Sequence, residues 1–586
     1  MKRLKPIKPW PIIFAAASAL FVTVLAENAG AQTTPDKKDL LNKTNALLSK
    51  IPAQHQALLS SGMQRVQQLA RVLNETHSKM GDSGTVAVPP KASPASTPSA
   101  GNAPIGPITV PGPGGTIQVS DPRLDFANSA MAGFTQSETS TAWCGDTVVV
   151  GYNDSGAFAR TAGVNFNGAW SFSSASYSSD RGRTFTAISY LNPGTNPFNF
   201  IGGDPAVVCT SPTQFYYASI FASGQDSNGN FFNGVAVNLS ADGGQTWSDP
   251  VAAVQKDFTH SIDKPWLAAD PTNANRLYVT YTDFDFSGLY PNPPTPPRCV
   301  NDIRYAIELI SSADGGRTWG APVIVHEECL FSGGFNGVQG SNPVVAQDGT
   351  VYVGYEFFPG AVPNNEIHLA RSVDHGRTFA APVKVYNVWP NGNFGLLQGG
   401  FRNNEFPQVA VDRSAGPSRG TVYLAWSDAS RNIFQDLPFF VGTYAYPDVV
   451  VAKSTDGGRT FTTPKTVSPA SQNFTGRGRD QFFPGIAVDS HGTVGVCYYD
   501  RRQDPTNTAI DRYCSISENG GSNWQEERVS EASWTPAHAA DAVINFFYIG
   551  DYDALSSDFL LIHGGFFGAF EVQTNGNPDV VASRVQ

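Results

Sequence analysis

STDGGRTF (454–461) is one of six versions of a short phrase. The others are SSDRGRTF (178–185), SADGGQTW (240–247), SADGGRTW (312–319), SVDHGRTF (372–379) and the degenerate SENGGSNW (517–524). Its chemistry is that of a tight turn between two strands. Ser and Asp oxygens can hold nearby backbone N–H groups, and Gly accepts positive φ without steric cost. The aromatic that ends each copy restarts a strand. In the sixth copy Asn519 replaces the Asp and Asn523 the Thr. Six copies with centres 60 to 82 residues apart, from Asp180 to Asn519, mark a repeat architecture and need no ligand to explain them.

The repeating unit is longer than the phrase. A strand such as DPAVVC (204–209), DKPWLAAD (263–270), NPVVAQD (342–348), FPQVAVD (406–412) or FPGIAVD (483–489) comes first. A second follows, as in RLYVTYTD (276–283), TVYVGYE (350–356), TVYLAWSD (421–428) and TVGVCYYD (493–500), then a third into the phrase and a fourth out of it. Four short strands per repeat describe propeller blades. The tail lacks the phrase but offers strands at 546–555, 558–565 and 579–585, and TIQVS (116–120) would supply the missing fourth. Drawing one blade from both chain ends removes an exposed edge. Seven blades are expected; six plus a C-terminal appendage is the alternative.

Composition agrees with many short strands and turns: 57 Gly, 12% aromatic and 15% charged residues. The net charge of −11, with no basic block beyond the first residues, argues against a nucleic-acid partner. Lys2, Arg3, Lys5 and Lys8 precede an apolar run from Ile12 to Leu25 and then Ala29-Gly30-Ala31. This pattern reads as a secretory signal over 1–31, too short for a stable membrane span. Residues 36–80 are helical in pattern, with Leu59, Val66 and Leu73 at heptad spacing, and read as a short stalk. Residues 81–115 are a Pro/Ser/Ala/Gly-rich linker, and 116–586 form the propeller. Six cysteines suit an oxidising compartment, so the protein is expected to be secreted or periplasmic. Cys497 with Cys514 and Cys299 with Cys329 look bridgeable, leaving Cys144 and Cys209, although six cysteines allow about fifteen pairings.

The phrases lie at one end of the blades. At the other end fall the loops between second and third strands, at 154–170, 222–233, 284–303, 357–366, 428–447 and 500–511. Inner strands begin there with Glu138, Asp204, Asp263, Asn342, Glu405, Asp480 and Asp551, and second strands end there in Asp154, Asp283, Glu356, Asp428 and Asp500. Lys264, Arg402, Arg431, Arg479, Arg501 and Arg502 accompany them. Such a ring has three readings: carboxylates that cap strand starts beside neutralising arginines, a hard-cation site for Ca²⁺, or a sugar-processing site.

In the order S-x-D-x-G-x-T-F/W the phrase resembles the Asp box, or BNR repeat. The chain over 116–586 resembles the sialidase superfamily of propellers. It is similar above all to secreted bacterial BNR-repeat proteins, through YYDRRQDP (498–505) and IGDYDAL (549–555) as well. The resemblance implies an all-β, sialidase-like β-propeller preceded by a short helical segment, and a glycan as ligand or substrate. It also implies an arginine clamp, a Tyr nucleophile supported by Glu, and an Asp acid/base. The F/Y-R-I-P signature that would carry the first clamp arginine is absent, the nearest arginine being Arg123 in DPRLDF. On this basis Asp500, Glu405, Asp263 and Tyr499 are the catalytic candidates, and Arg402, Arg479, Arg501, Arg502 and Asp551 the substrate-binding ones. The competing expectation is a non-catalytic head that binds a glycan or an extracellular protein through Tyr290, Phe357, Phe358, Trp389, Phe439, Phe440 and Tyr444.

Overall fold

The computed structural model describes residues 104–585 apart from 109–111, 113–115, 128–131, 165–168, 226–230, 291, 335, 361–363, 393–394, 431–432, 436–442, 469–477, 531, 537–548 and 575–576. The expected signal, the stalk, most of the linker, Arg431, Phe439 and Phe440 lie outside the described residues. No helix among those described is long and apolar enough to cross a membrane.

Seven sheets, antiparallel apart from one short parallel pair at the edge of blade 2, surround one axis. Their innermost strands are Gln136–Cys144, Ala206–Cys209, His260–Asp270, Gly337–Val345, Gln408–Val411, Gln481–Val488 and Ala554–Ser556, which open blades 1 to 7. Each packs against the next, and the last against the first. Blade 7 runs from Ala554–Ser556 through Phe566–Thr574 and Asn577–Val585 to Ile117–Gln118, which pairs with Ala582 and Val581. The ring is therefore closed by both ends of the propeller, as the TIQVS stretch suggests. Apolar clusters fill the wedge between every pair of neighbours, for example Val338, Tyr355 and Tyr278 between blades 3 and 4 and Val119, Val148 and Phe567 between blades 7 and 1.

The repeated turns explain their own recurrence. In the five close copies the Ser hydroxyl donates to the Asp carboxylate and accepts the N–H of the second Gly position. The Thr hydroxyl and N–H both donate to the same Asp. Asn519 keeps the Ser517 and backbone bonds in the sixth copy. Gly244 shows why glycine is needed: its φ is +89°, and a Cβ there would stand 2.6 Å from Val149 of blade 1.

Three expectations need correction. The stretch 558–565 is a turn, not a strand, because the Asp558 carboxylate gathers the N–H groups of Gly145, Leu560, Ile562 and His563. The second strand of blade 7 is instead Phe566–Thr574. The loop at 222–233 shrinks because the ladder runs on through Gln225↔Phe231, whereas 154–170 opens with the helix Ser155–Val164. Within the expected linker, Pro104–Pro107 pairs with Thr186–Ile188 at the outer edge of blade 1. Proline suits an edge strand because it has no N–H to leave unpaired.

Three disulfides form: Cys144–Cys209 between blades 1 and 2, Cys299–Cys329 across blade 3, and Cys497–Cys514 on paired strands of blade 6. Gly244→Ala is expected to lose about 2 kcal/mol in urea unfolding, through positive-φ strain and overpacking on Val149. An unchanged midpoint would show that the turn tolerates a Cβ and that the repeat has another cause.

Candidate functional site

The strands start at the end of the blades opposite the repeated turns. In blades 1, 2, 3, 4 and 6 the inner strand enters through a left-handed residue: Glu138 (φ 52°), Asp204 (φ 55°), Lys264 (φ 50°), Gly340 (φ 70°) and Phe483 (φ 48°). In blades 1, 3, 4 and 6 the ladder skips there, between Ser137 and Ser140, Asp263 and Trp266, Gln339 and Asn342, and Phe482 and Gly485. A bulge re-aims the side chain that it carries, at a cost of about 1–2 kcal/mol for a residue other than Gly. In blades 1 to 3 that side chain is charged, and the three meet.

Lys264 Nζ lies 2.6 Å from Asp551, 3.2 Å from Asp204 and 3.3 Å from Glu138. Arg402 also pairs with Asp551, and Asn153 bridges Glu138 Oε2 and the Asp204 N–H. Burial alone would depress the Lys264 ammonium; Asp204, Asp551 and Glu138 outweigh it and hold it well above the ordinary lysine range. Burial raises the Asp551 carboxyl, with Arg402 and Lys264 pulling it back. Just inside this cluster is a cavity of 160 Å³ lined by all seven inner strands, among them Ser140, Trp266, Asn342 and Gln408. The axial mouth is thus filled by the protein's own charges.

The other candidates lie apart from one another. Asp263 accepts from Gln339 Nε2 (2.8 Å) across blades 3 and 4, and its Oδ1 is buried without a partner among the described residues. Asp500 is held by Arg502 and by Gln481 Nε2 (2.7 Å), while Arg502 reaches outward to Glu526 and Ser468 and lies over Tyr513. This network straps blade 6 from its inner to its outer strand. Arg501 is fully buried between Asp480 and the Gln398 carbonyl, over Phe401. Tyr444 and Asn507 donate to the same Asp480. Arg479 donates to the Gly478 carbonyl. The arginines expected to clamp one carboxylate are thus dispersed, with Arg402, Arg501 and Arg502 each on its own acid.

Tyr499 departs most from its expected role. It is completely buried, its hydroxyl donates to the Glu571 carbonyl (2.9 Å), and it accepts the Glu571 N–H (2.8 Å) of blade 7. Burial and the Asp553 charge push its pKa well above the ordinary tyrosine range. A nucleophile needs a free, activated oxygen. Tyr499 is placed as a bolt between blades 6 and 7.

Glu405 belongs to a different arrangement, between blades 4 and 5. Its carboxyl lies beside that of Glu356, near enough for each to act on the other's titration. Asn365 Nδ2 donates to both, at 2.7 Å to Glu356 and 3.4 Å to Glu405, and the Asn391 N–H donates to Glu405 (2.8 Å). Burial raises both carboxyls, Glu405 to about 6 and Glu356 well above its usual range, where the neighbouring Glu405 charge adds to the effect. Beside this pair is a 450 Å³ surface cavity lined by Asn364, Lys384, Val385, Tyr386, Asn387 and Ser430. Ser430 rests on Asp428 through its N–H and hydroxyl. Glu356 and Asp428 are legible as strand ends. Tyr386 is not: KVYNV (384–388) reads as an outer strand, and only the approach of blade 5 makes its surface a cavity wall.

Among the described residues no three His, Cys, Asp or Glu side chains converge as a metal site. No protein-family model matches the chain, and no curated protein matches it in sequence. Solved structures similar to it include a Hadza microbial sialidase, with 15% identity and a TM-score of 0.37 over 66% of each chain. A mutant Trypanosoma rangeli sialidase displaying trans-sialidase activity matches at 15% identity and a TM-score of 0.36, over 65% of this chain and 53% of its own. A Penicillium chrysogenum α-L-arabinanase complexed with arabinobiose matches at 11% identity and a TM-score of 0.40, over 83% and 98%. The chain spans about two thirds of the first of these and about half of the second. Likeness this distant carries no argument about chemistry.

Lys264→Met is expected to lose about 3–5 kcal/mol in urea unfolding, because it leaves buried carboxylates uncompensated. A loss below about 1 kcal/mol would mean that the cluster does not clasp the ring.

Proposed function

We propose that the chain is an exported carbohydrate-binding propeller that takes a short glycan at the rim cavity between blades 4 and 5, on the end of the blades opposite the repeated turns. The observation that carries this reading is the wall of that cavity. Tyr386 offers an aromatic face of the kind on which the C–H side of a sugar ring rests, and the Asn364 and Asn387 amides, the Ser430 hydroxyl and the Lys384 ammonium supply donors and acceptors for its hydroxyls. The volume of 450 Å³ lies in the range of small-ligand sites. The site stands at the rim and not on the axis, where Lys264 and its partners occupy the mouth. Export is supported by the N-terminal sequence and by the three disulfides.

Sialidase chemistry finds no support in these side chains, since it asks for converging arginines and a free tyrosine. A glycan array followed by calorimetry with arabinobiose and 3′-sialyllactose tests the proposal. Saturable binding is expected, with Tyr386→Ala weakening it about tenfold, or ~1.4 kcal/mol. A blank array, or binding indifferent to Tyr386→Ala in a folded variant, would remove the rim cavity as the site. No sialoside turnover is expected in a fluorogenic assay.

A further inference from the structure

Behind the rim cavity, the Glu356 and Glu405 carboxyls pose a problem of charge. Glu356 is 1% exposed and Glu405 5%. The principal groups acting on them among the described residues are each other, the Asn365 amide, the Asn391 N–H, the Glu405 N–H on Glu356 and the Asp428 carboxylate, none of them cationic. Lys384, on the outer strand of the same blade, sends its ammonium to Glu366 (3.2 Å), and His368 pairs with that same Glu366 (2.8 Å). Two ionised carboxylates in contact, buried and facing a third, repel strongly. Glu356 Oε2 has no hydrogen-bond donor among the described residues, a deficit that one proton between the two carboxyls removes.

The pair is mechanically joined to the cavity. Asn365, which holds both carboxyls, is the first residue of the strand Asn365–Ser372 and follows Asn364 of the cavity wall. Asp428, which faces Glu405, carries Ser430 of the opposite wall. Asn391 lies just beyond the strand Val383–Val388 that bears Lys384, Tyr386 and Asn387. Its side-chain amide is fully buried and has no partner among the described residues, so it is the donor available to a carboxylate pushed out of the pair. Separation of the two carboxyls therefore disturbs three segments that build the cavity.

We infer that Glu356 and Glu405 share a single proton and that this proton governs the rim cavity, which binds its glycan tightly while the pair is protonated and weakly once both carboxyls ionise. The inference rests on the reading of the rim cavity as the glycan site and adds to it a pH-linked release. The linkage has a definite sign. Both folded-state pKa values are raised, so the proton stabilises the fold fully below the ordinary Glu range, and that stabilisation is lost as pH rises through the folded values. Glycan affinity follows the same direction.

The test is to run the glycan array at pH 5, 6.5 and 8 and to titrate arabinobiose and 3′-sialyllactose into the wild-type chain, Glu356→Gln and Glu405→Gln, with melting curves at each pH. The expected wild-type Kd rises by up to tenfold per pH unit once the pair ionises, as one linked proton requires, while the glutamine variants bind with a Kd nearly independent of pH. The wild-type Tm is expected to fall over the same interval, and that of the variants to fall less. Binding that is strong but flat with pH in the wild type overturns the coupling and leaves the glycan reading standing. A pH dependence that persists in both variants assigns it to other groups and also overturns the coupling. An array blank at all three pH values overturns the glycan reading and the coupling with it, and the melting curves then decide the shared proton alone.

Discussion

Everything in this molecule hangs on the closure of a ring whose wedges have no other means of burying both faces. An isolated four-stranded blade leaves two apolar surfaces in water, and each is covered only when another blade stands on either side. The pairing of Ile117–Gln118 with Asn577–Val585 therefore does more than add a strand: it converts an open stack with two bare ends into a cycle with none. The Lys264 cluster ties blades 1, 2, 3 and 7 at the end of the axis where the inner strands start, and the Cys144–Cys209 bridge joins blades 1 and 2 where those strands end.

That closure shapes the chemistry near the axis. Seven strand starts converge there, and several carry charge, so the ring brings together like charges that must be compensated inside a protein. The left-handed entry at Glu138, Asp204 and Lys264 turns the three side chains toward one another, and Arg402 adds a second cation at Asp551. The outcome is a network of paired acids and bases whose members serve one another. The proposed ligand surface lies outward, where the outer strand of blade 4 and Ser430 of blade 5 wall the rim cavity. There the principal neighbours of the Glu356–Glu405 pair among the described residues include no cation, which sets it apart from Asp500 with Arg502, Asp480 with Arg501 and Asp283 with His260, Lys256 and Arg304.

Much of this was legible in the chain. The Ser-x-Asp-x-Gly-x-Thr phrase reports a turn that is complete within eight residues, so its geometry follows from its letters. The alternation in TVYVGYE (350–356) and TVGVCYYD (493–500) likewise reports second strands that carry a carboxylate near their ends, as they do in blades 1, 3, 4, 5 and 6. The strand at 558–565 was misread for a physical reason. DFLLIHGG has the apolar run of a strand, and only the capture of four backbone N–H groups by Asp558 turns it into a loop.

The sequence by itself determined the repeat, the identity of its turns and the end of the blades at which carboxylates gather, and it left seven blades as the expectation with six and an appendage as the alternative. These are local or periodic properties, written in residues that touch within one repeat. Only the tertiary structure decided which acid meets which base. Lys264 finds Glu138 and Asp551, and Tyr499 finds Glu571, across separations of 72 to 287 residues, and no spacing in the chain encodes those meetings. The same holds for the rim cavity: Asn364, Tyr386 and Ser430 form a wall because two blades diverge there, and divergence is a property of the closed ring.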